Sequence, residues 1–161
     1  MPQSKAIFLD RDGTLIREFA HIPDDVHLLP GVVEGLKALQ DAGYLLFVVS
    51  NQGDVGRGKA IREMVDLVHD RFLKSLERQN VHLTATYYCY HSPEEGCSCR
   101  KPKPGSLVRA QHAHDIDMSQ SWMVGDRVTD LEAGVSAHLN VYYVGGEGDF
   151  TDFVNLIRGL T

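Results

Sequence analysis

The sequence predicts an α/β fold in which a parallel β-sheet carries helices on both faces. Three observations lead to this prediction. Short apolar segments alternate with longer amphipathic segments along the chain. The apolar segments are rich in β-branched and aromatic residues, which strands favour. Several of them end abruptly in polar or acidic residues, as strands do at the carboxyl edge where α/β sheets bind ligands.

The predicted strands are residues 6–9, 44–49, 85–89, 121–124 and 141–144, each a short apolar run. Helical patterns lie between and after them, at residues 31–42, 59–80, 105–115, 128–138 and 149–159. In the first helix Val32, Leu36 and Leu39 recur at helical spacing, and Gly43 fits the end. Alternation of this kind predicts a Rossmann-like sheet with right-handed crossovers.

Length and composition indicate one domain spanning residues 1–161, without internal repeats. The chain has 161 residues, 43% hydrophobic content and a net charge of −6. The negative charge argues against a nucleic-acid partner. No apolar run approaches the roughly 18 residues of a membrane span, so no membrane partner and a cytoplasmic location are expected. The short chain without heptads favours a monomer.

Four polar groups follow predicted strand ends: Asp10-Arg11-Asp12-Gly13-Thr14, Ser50-Asn51-Gln52, Arg100-Lys101-Pro102 and Gly125-Asp126-Arg127-Val128-Thr129-Asp130. These residue types suit phosphoryl transfer. One carboxylate can attack phosphorus, and a second can protonate the leaving oxygen and later activate water. A hydroxyl, an amide and a lysine can hold the phosphoryl oxygens, and further carboxylate oxygens suit Mg2+.

A second group of residues predicts a structural zinc site. Cys89, His91, Cys97 and Cys99 provide three thiols and one imidazole, a complete tetrahedral set with no open position. All three cysteines of the chain belong to this set. In the predicted zinc loop, about residues 89–101, Arg100 and Lys101 directly follow Cys99. The bound ion would therefore fix the position of both bases.

The four motifs together resemble the haloacid dehalogenase (HAD) superfamily of phosphatases. The resemblance implies that Asp10 is the nucleophile and Asp12 the general acid and base. It implies that Ser50 and Lys101 steady the phosphoryl group. It further implies a Mg2+ site formed by Asp10, the main-chain carbonyl of Asp12 and Asp126. Residues 14–44 and 51–85 hold little beyond one helix each, so no large cap domain is expected.

The zinc loop narrows the resemblance to heptose 1,7-bisphosphate phosphatases and histidinol-phosphate phosphatases. Phe-Leu-Asp-Arg-Asp-Gly-Thr and Arg-Lys-Pro-Lys-Pro-Gly favour the heptose enzymes, whereas the short zinc loop resembles the histidinol enzymes. A small phosphorylated substrate, a sugar bisphosphate, is therefore expected. The candidate substrate-binding residues are Asn51, Gln52, Arg57, Arg100 and Arg127. The resemblance also implies, from position alone, that residues 18–21 lie near the sugar.

Several alternatives remain open at this point. Asp10 and Asp12 alone would also fit a solvated turn. Ser50 would also fit a helix cap, and Asp130 would also fit an acid in the first turn of a helix. Arg57 and Arg127 also fit ordinary surface bases. A zinc-dependent binding module with a degenerate catalytic core is the alternative that is not an enzyme.

Overall fold

The computed structural model describes residues 2–18 and 23–160. Within these residues the strands are β1 (Ala6–Leu9), β2 (Leu45–Asn51), β3 (Ala85–Cys89), β4 (Trp122–Gly125) and β5 (Asn140–Tyr143). The helices are α1 (Val32–Asp41), α2 (Arg62–Glu77), α3 (Gly105–His114), α4 (Val128–Ser136) and α5 (Phe150–Leu160). Short 3-10 turns lie at Pro23–Asp25, Pro93–Glu95 and Met118–Gln120.

The strands form one parallel sheet in the order β3-β2-β1-β4-β5, which confirms the predicted fold class. The central strand β1 sets the geometry of the site. Its last residue, Leu9, pairs with Val48 of β2 and with Val124 of β4. Since all three strands run in the same direction, the residues that follow these three positions emerge at one edge of the sheet.

The two faces of β1 bury different helices. Ile7 and Leu9 belong to a core that includes buried side chains of α1, α2 and α5. Ala6 and Phe8 belong to a second core with residues of α3 and α4. Helices therefore cover both faces, as predicted. In the described part of the chain, no helix combines the length and the apolar character that a membrane crossing requires.

The structure shifts some predicted boundaries. Helix α2 is shorter than the predicted 59–80, because the main-chain N–H groups of Lys59 and Ala60 bind the carbonyl of Asp54 in a turn. Strand β2 continues two residues past its predicted end, because Asn51 still pairs with Cys89 of β3. This extension joins the Ser50 motif to the start of the zinc loop.

Candidate active site and metal centres

A cavity of about 270 Å³ opens at the carboxyl edge of the sheet. Its lining includes every residue predicted for catalysis or substrate binding: Asp10, Asp12, Ser50, Asn51, Gln52, Arg57, Arg100, Lys101 and Arg127. The fold thus brings together residues from three strand ends and the zinc loop. Glu18 also lines the cavity. The predicted sugar contacts at residues 19–21 lie outside the described residues.

Lys101 lies at the bottom of this cavity as a buried ammonium group. Its Nζ donates to Asp10 Oδ1 at 2.9 Å and to the carbonyl of Val49 at 2.6 Å, and it lies 2.6 Å from Asp130 Oδ1. Burial alone would lower the pKa of Lys101, but the charges of Asp10 and Asp130 outweigh it and raise the pKa. The group therefore stays protonated and offsets negative charge at the site.

Asp130 takes part in the site as well as in its helix. Its Oδ2 accepts a hydrogen bond from the main-chain N–H of Arg127 at 3.1 Å, as an acid in the first turn of α4 does. Its Oδ1 contacts Lys101 at the same time. The side chain therefore caps the first turn of its helix and pairs with Lys101, and a catalytic role for it stays a prediction.

Asp10, Asp126 and Asp130 bring carboxylate oxygens within 4.8 Å of one another. Burial raises the pKa of all three, that of Asp10 to about 6, although Lys101 acts in the opposite direction on Asp10 and Asp130. Three carboxylates and one ammonium leave a formal charge of −2 when all are ionised. Asp126 Oδ1 is buried and has no hydrogen-bond partner among the described residues. This donor set and its charge fit one divalent cation that prefers oxygen ligands.

Gly13 explains why Asp126 can reach this position. Gly13 has a φ of 82°, and a Cβ at this residue would collide with the Asp126 carboxylate. A side chain here would therefore be strained and would push Asp126 away from Asp10. The turn after β1 is built to admit a carboxylate from β4.

Asp12 and Ser50 are linked by Gln52. The Gln52 amide donates to Asp12 Oδ2 at 3.1 Å and to Ser50 Oγ at 2.8 Å. Asn51 has a different partner. Its side chain accepts from the main-chain N–H of Lys101 and donates to the Lys101 carbonyl, both at 3.0 Å. Asn51 therefore holds the segment that presents Lys101, and its contact with substrate stays a prediction.

The three candidate arginines lie around the mouth of the cavity. Arg57 pairs with Asp54 at 3.1 Å, and Arg127 pairs with Glu18. Arg100 donates to the carbonyl of His91 at 3.4 Å. Each is at least partly exposed, so all three can turn toward an anion. The mouth of the cavity therefore carries three arginines, two of them paired with the acidic side chains of Asp54 and Glu18, around an acidic interior.

Cys89, His91, Cys97 and Cys99 form a second cluster whose ligand atoms lie within 4.8 Å of one another. The Sγ atoms of Cys89 and Cys97 are 3.6 Å apart. Two thiolates on tetrahedral zinc, with Zn–S bonds near 2.3 Å, lie about 3.8 Å apart. All three cysteines are free of disulfides. The donors and their spacing fit the predicted zinc ion.

The zinc loop is tied to the catalytic edge through its main chain. The N–H of Gln52 donates to the Cys89 carbonyl at 2.7 Å, and that of Gly56 donates to the Tyr90 carbonyl at 2.9 Å. Lys103 Nζ donates to the Cys97 carbonyl at 2.9 Å. A metal that orders this loop would also order the turn after β2 and the segment that carries Lys101.

The sequence did not single out Arg11, Tyr88 or His69, which form a network behind Asp12 in which Arg11 is buried and both rings are partly buried. Arg11 is 1% exposed and pairs with Asp12 at 2.7 Å. Tyr88 accepts from Arg11 at 3.0 Å and also contacts His69. The only available signal was an arginine between two motif acids, which also fits a surface base.

Comparison with known proteins identifies the family. Residues 98–150 match the model of the HAD-hydrolase-like family. The D-glycero-beta-D-manno-heptose-1,7-bisphosphate 7-phosphatase of Haemophilus influenzae is 40% identical over 146 residues, which cover 86% of this chain and 79% of the relative. The chain belongs to the HAD-like phosphatases.

Other members of this family agree with the assignment. The 7-phosphatase of the same name from Escherichia coli K12 is 37% identical over 143 residues, covering 83% of this chain and 75% of the relative. A crystal structure of the D,D-heptose 1,7-bisphosphate phosphatase from B. bronchiseptica, complexed with magnesium and phosphate, superposes with a TM-score of 0.88. It is 26% identical and covers 98% of this chain and 99% of its own.

Proposed function

We propose that this protein is a Mg2+-dependent phosphatase that removes the 7-phosphate from D-glycero-D-manno-heptose 1,7-bisphosphate through an aspartyl-phosphate intermediate. One observation carries the proposal. Residues of the predicted phosphoryl-transfer motifs line one cavity, in a chain 40% identical to an enzyme named for this reaction. The arginines at the mouth of the cavity supply a reason for a bisphosphate, since one phosphate can lie inside the cavity while the other meets Arg57, Arg100 or Arg127 outside.

In the first step a carboxylate oxygen of Asp10 attacks phosphorus. The bond between phosphorus and the ester oxygen breaks, its electron pair stays on the sugar oxygen, and Asp12 donates a proton to that oxygen. Asp12 suits this role because it lines the cavity and its side chain is 27% exposed. The product of this step is a phosphorylated Asp10 and a free sugar hydroxyl.

In the second step Asp12, now a carboxylate, takes a proton from a water molecule. The water oxygen bonds to phosphorus while the bond to Asp10 breaks, which releases inorganic phosphate and restores both side chains. Lys101 stays within hydrogen-bond distance of Asp10 and offsets the charge that gathers on the phosphoryl oxygens. Ser50 Oγ, linked to Asp12 through Gln52, would hold one of these oxygens.

Asp10, Asp126 and the main-chain carbonyl of Asp12 would hold Mg2+, with Asp130 close by. The ion supplies positive charge that screens the substrate phosphate from the carboxylates. Zinc, held by the four ligands of the zinc loop, would keep rigid the segment that presents Arg100 and Lys101. We further propose that the enzyme works in the cytoplasm, since cysteines free of disulfides suit a reducing compartment. We also propose that it works as a monomer, since the chain is short and has no heptads.

The direct test is phosphate release in the presence of Mg2+ from a panel of phosphomonoesters. The panel contains both anomers of the heptose bisphosphate, histidinol phosphate and a 3′-phosphorylated oligonucleotide, with Asp10→Asn as the inactive control. We expect the heptose bisphosphate to react with the highest kcat/KM, and 31P NMR to show the 1-phosphate retained. Release of the 1-phosphate, or equal rates on all compounds, contradicts the proposed substrate.

The second candidate function is histidinol-phosphate hydrolysis. The short zinc loop favours it, since only seven residues separate Cys89 from Cys97. The same panel decides between the two functions, because histidinol phosphate carries one phosphate and needs no second anion site at the rim. Charge-reversed Arg100→Glu should lower kcat/KM for the bisphosphate and spare a monophosphate.

A further inference from the structure

Arg11 is the largest fully buried side chain of the described residues, and the proposed steps do not use it. Burying a guanidinium is costly unless the charge is paired and its nitrogens are hydrogen-bonded. Its Nε donates to Asp12 Oδ1 at 2.7 Å, and one terminal nitrogen donates to Asp12 Oδ2 at 3.2 Å. The other terminal nitrogen donates to the Tyr88 hydroxyl at 3.0 Å. All three nitrogens of the group are therefore engaged.

The contact with Asp12 has the geometry of a fork. Two nitrogens of one planar group meet the two oxygens of one carboxylate, which fixes direction as well as distance. Gln52 adds a second donor to Asp12 Oδ2. Asp12 Oδ1 keeps an acceptor position beyond its bond to Arg11, since an oxygen has two lone pairs. The clamp orients the carboxylate and still leaves it able to exchange a proton.

Tyr88 and His69 hold the guanidinium from behind. Arginine can only donate, so the Tyr88 oxygen accepts from Arg11 and its hydrogen points to His69 Nδ1. His69 then carries its proton on Nε2 and donates to Thr86 Oγ1, which lies 3.3 Å away. Burial lowers the pKa of His69 to about 4 and raises the pKa of Tyr88, so both rings are neutral. This direction of bonds gives Tyr88, His69 and Thr86 consistent donor and acceptor roles.

We propose that Arg11 is a positioning residue, which holds the Asp12 carboxylate in the orientation needed to protonate the leaving oxygen, and that Tyr88 fixes Arg11. This inference rests on the proposed function, because it assumes that Asp12 is the general acid. Arg11 itself does not touch the substrate. Its effect should therefore depend on how strongly the leaving group needs a proton.

The test compares kcat/KM for the best sugar phosphate with kcat/KM for p-nitrophenyl phosphate. Nitrophenolate leaves without protonation, and kcat/KM reports only the steps up to its departure. We expect Arg11→Met to lower the sugar-phosphate value by about 100-fold, the scale of a misplaced catalytic group, and to leave the p-nitrophenyl value nearly unchanged. Arg11→Lys, which keeps the charge but loses the fork, should behave similarly. Tyr88→Phe should show a smaller loss of the same kind.

Two further measurements separate positioning from a structural role. In an Asp12→Asn background, Arg11→Met should cost almost nothing more on the sugar phosphate, since it acts only through Asp12. Arg71→Met is the matched control, because Arg71 forms an exposed pair with Asp24 away from the cavity and should change neither rate. Thermal unfolding of each variant shows that the enzyme assayed is folded.

The inference is overturned if folded Arg11→Met loses equal activity on both substrates or none at all. It is also overturned if the losses of Arg11→Met and Asp12→Asn simply add. Failure of the proposed function looks different, because wild-type enzyme itself would then not release phosphate from the heptose bisphosphate, whatever the variants do. If Arg11→Met does not fold, Tyr88→Phe provides the same comparison of the two substrates, because this substitution removes only one hydroxyl.

Discussion

Replacing Lys101 by methionine removes a buried ammonium group that lies 2.9 Å from Asp10 and 2.6 Å from Asp130. The Lys101 side chain is 3% exposed and those of Asp10 and Asp130 are 10% and 2% exposed, so the carboxylates left behind lie largely out of water. Breaking a buried ion pair from one side costs about 3–5 kcal/mol, because the remaining charge stays buried. At roughly 2–4 °C per kcal/mol for a domain of this size, Lys101→Met should lower Tm by about 6–20 °C.

Lys74→Met provides a matched control. Lys74 Nζ lies 2.9 Å from Asp70, the same distance as Lys101 from Asp10, but both partners are at least half exposed. An exposed pair of this kind contributes about 0–1 kcal/mol. Differential scanning fluorimetry and urea unfolding without added Mg2+ measure both variants. Equal losses of stability in the two variants would refute the expectation that a buried ammonium with two carboxylate partners contributes more than an exposed pair.

Three further predictions concern the two metals and the partly buried His69. Mg2+ at about 100 times its dissociation constant should raise the free energy of unfolding of the wild type by about 2.7 kcal/mol. Thermal unfolding should show that Asp126→Asn loses most of this gain. An equal gain in both proteins would contradict the assigned ligands. Removal of zinc, or the substitution Cys97→Ser, should impair folding or substrate binding, and added Mg2+ should not restore either. A folded enzyme that keeps full activity, and that elemental analysis shows to contain no zinc, would contradict the structural role. The His69 pKa of about 4 lies below its ordinary 6.5, so its contribution to stability is present above pH 6.5 and is lost as pH falls toward 4. After a discount for partial exposure, wild type should lose about 1 kcal/mol more than His69→Gln between pH 7 and pH 5 in urea unfolding, and parallel curves would contradict this.

Much of the fold could be predicted because its signals are local. Strands β1 and β3 begin and end where their apolar runs do, and Gly43, with a φ of 86°, follows α1 as expected. Boundaries that depend on pairing could not be predicted. Asn51 is polar, but it extends β2 because Cys89 of β3 lies opposite to it.

The part of the candidate site that lies at strand ends could be predicted, because parallel strands bring their carboxyl ends to one edge of the sheet. Asp10, Ser50 and Lys101 meet there although most of the chain separates them. The role of Asn51 in holding Lys101 and the burial of Arg11 depend on partners 50 and 77 residues away, which no local pattern reveals. Asp130 shows a further limit of prediction from sequence. Its one carboxylate accepts from the main chain of its own helix and also pairs with Lys101, and no local pattern reveals the second contact.

The central claim is that Asp10 carries the phosphoryl group during turnover. Acid quenching of a single turnover with the heptose bisphosphate, followed by peptide mass spectrometry, measures this directly. We predict a transient phosphoryl adduct on the peptide that contains Asp10, formed and lost at rates consistent with turnover and absent in Asp10→Asn. Phosphate release without any adduct, or wild-type turnover in Asp10→Asn, would contradict the account.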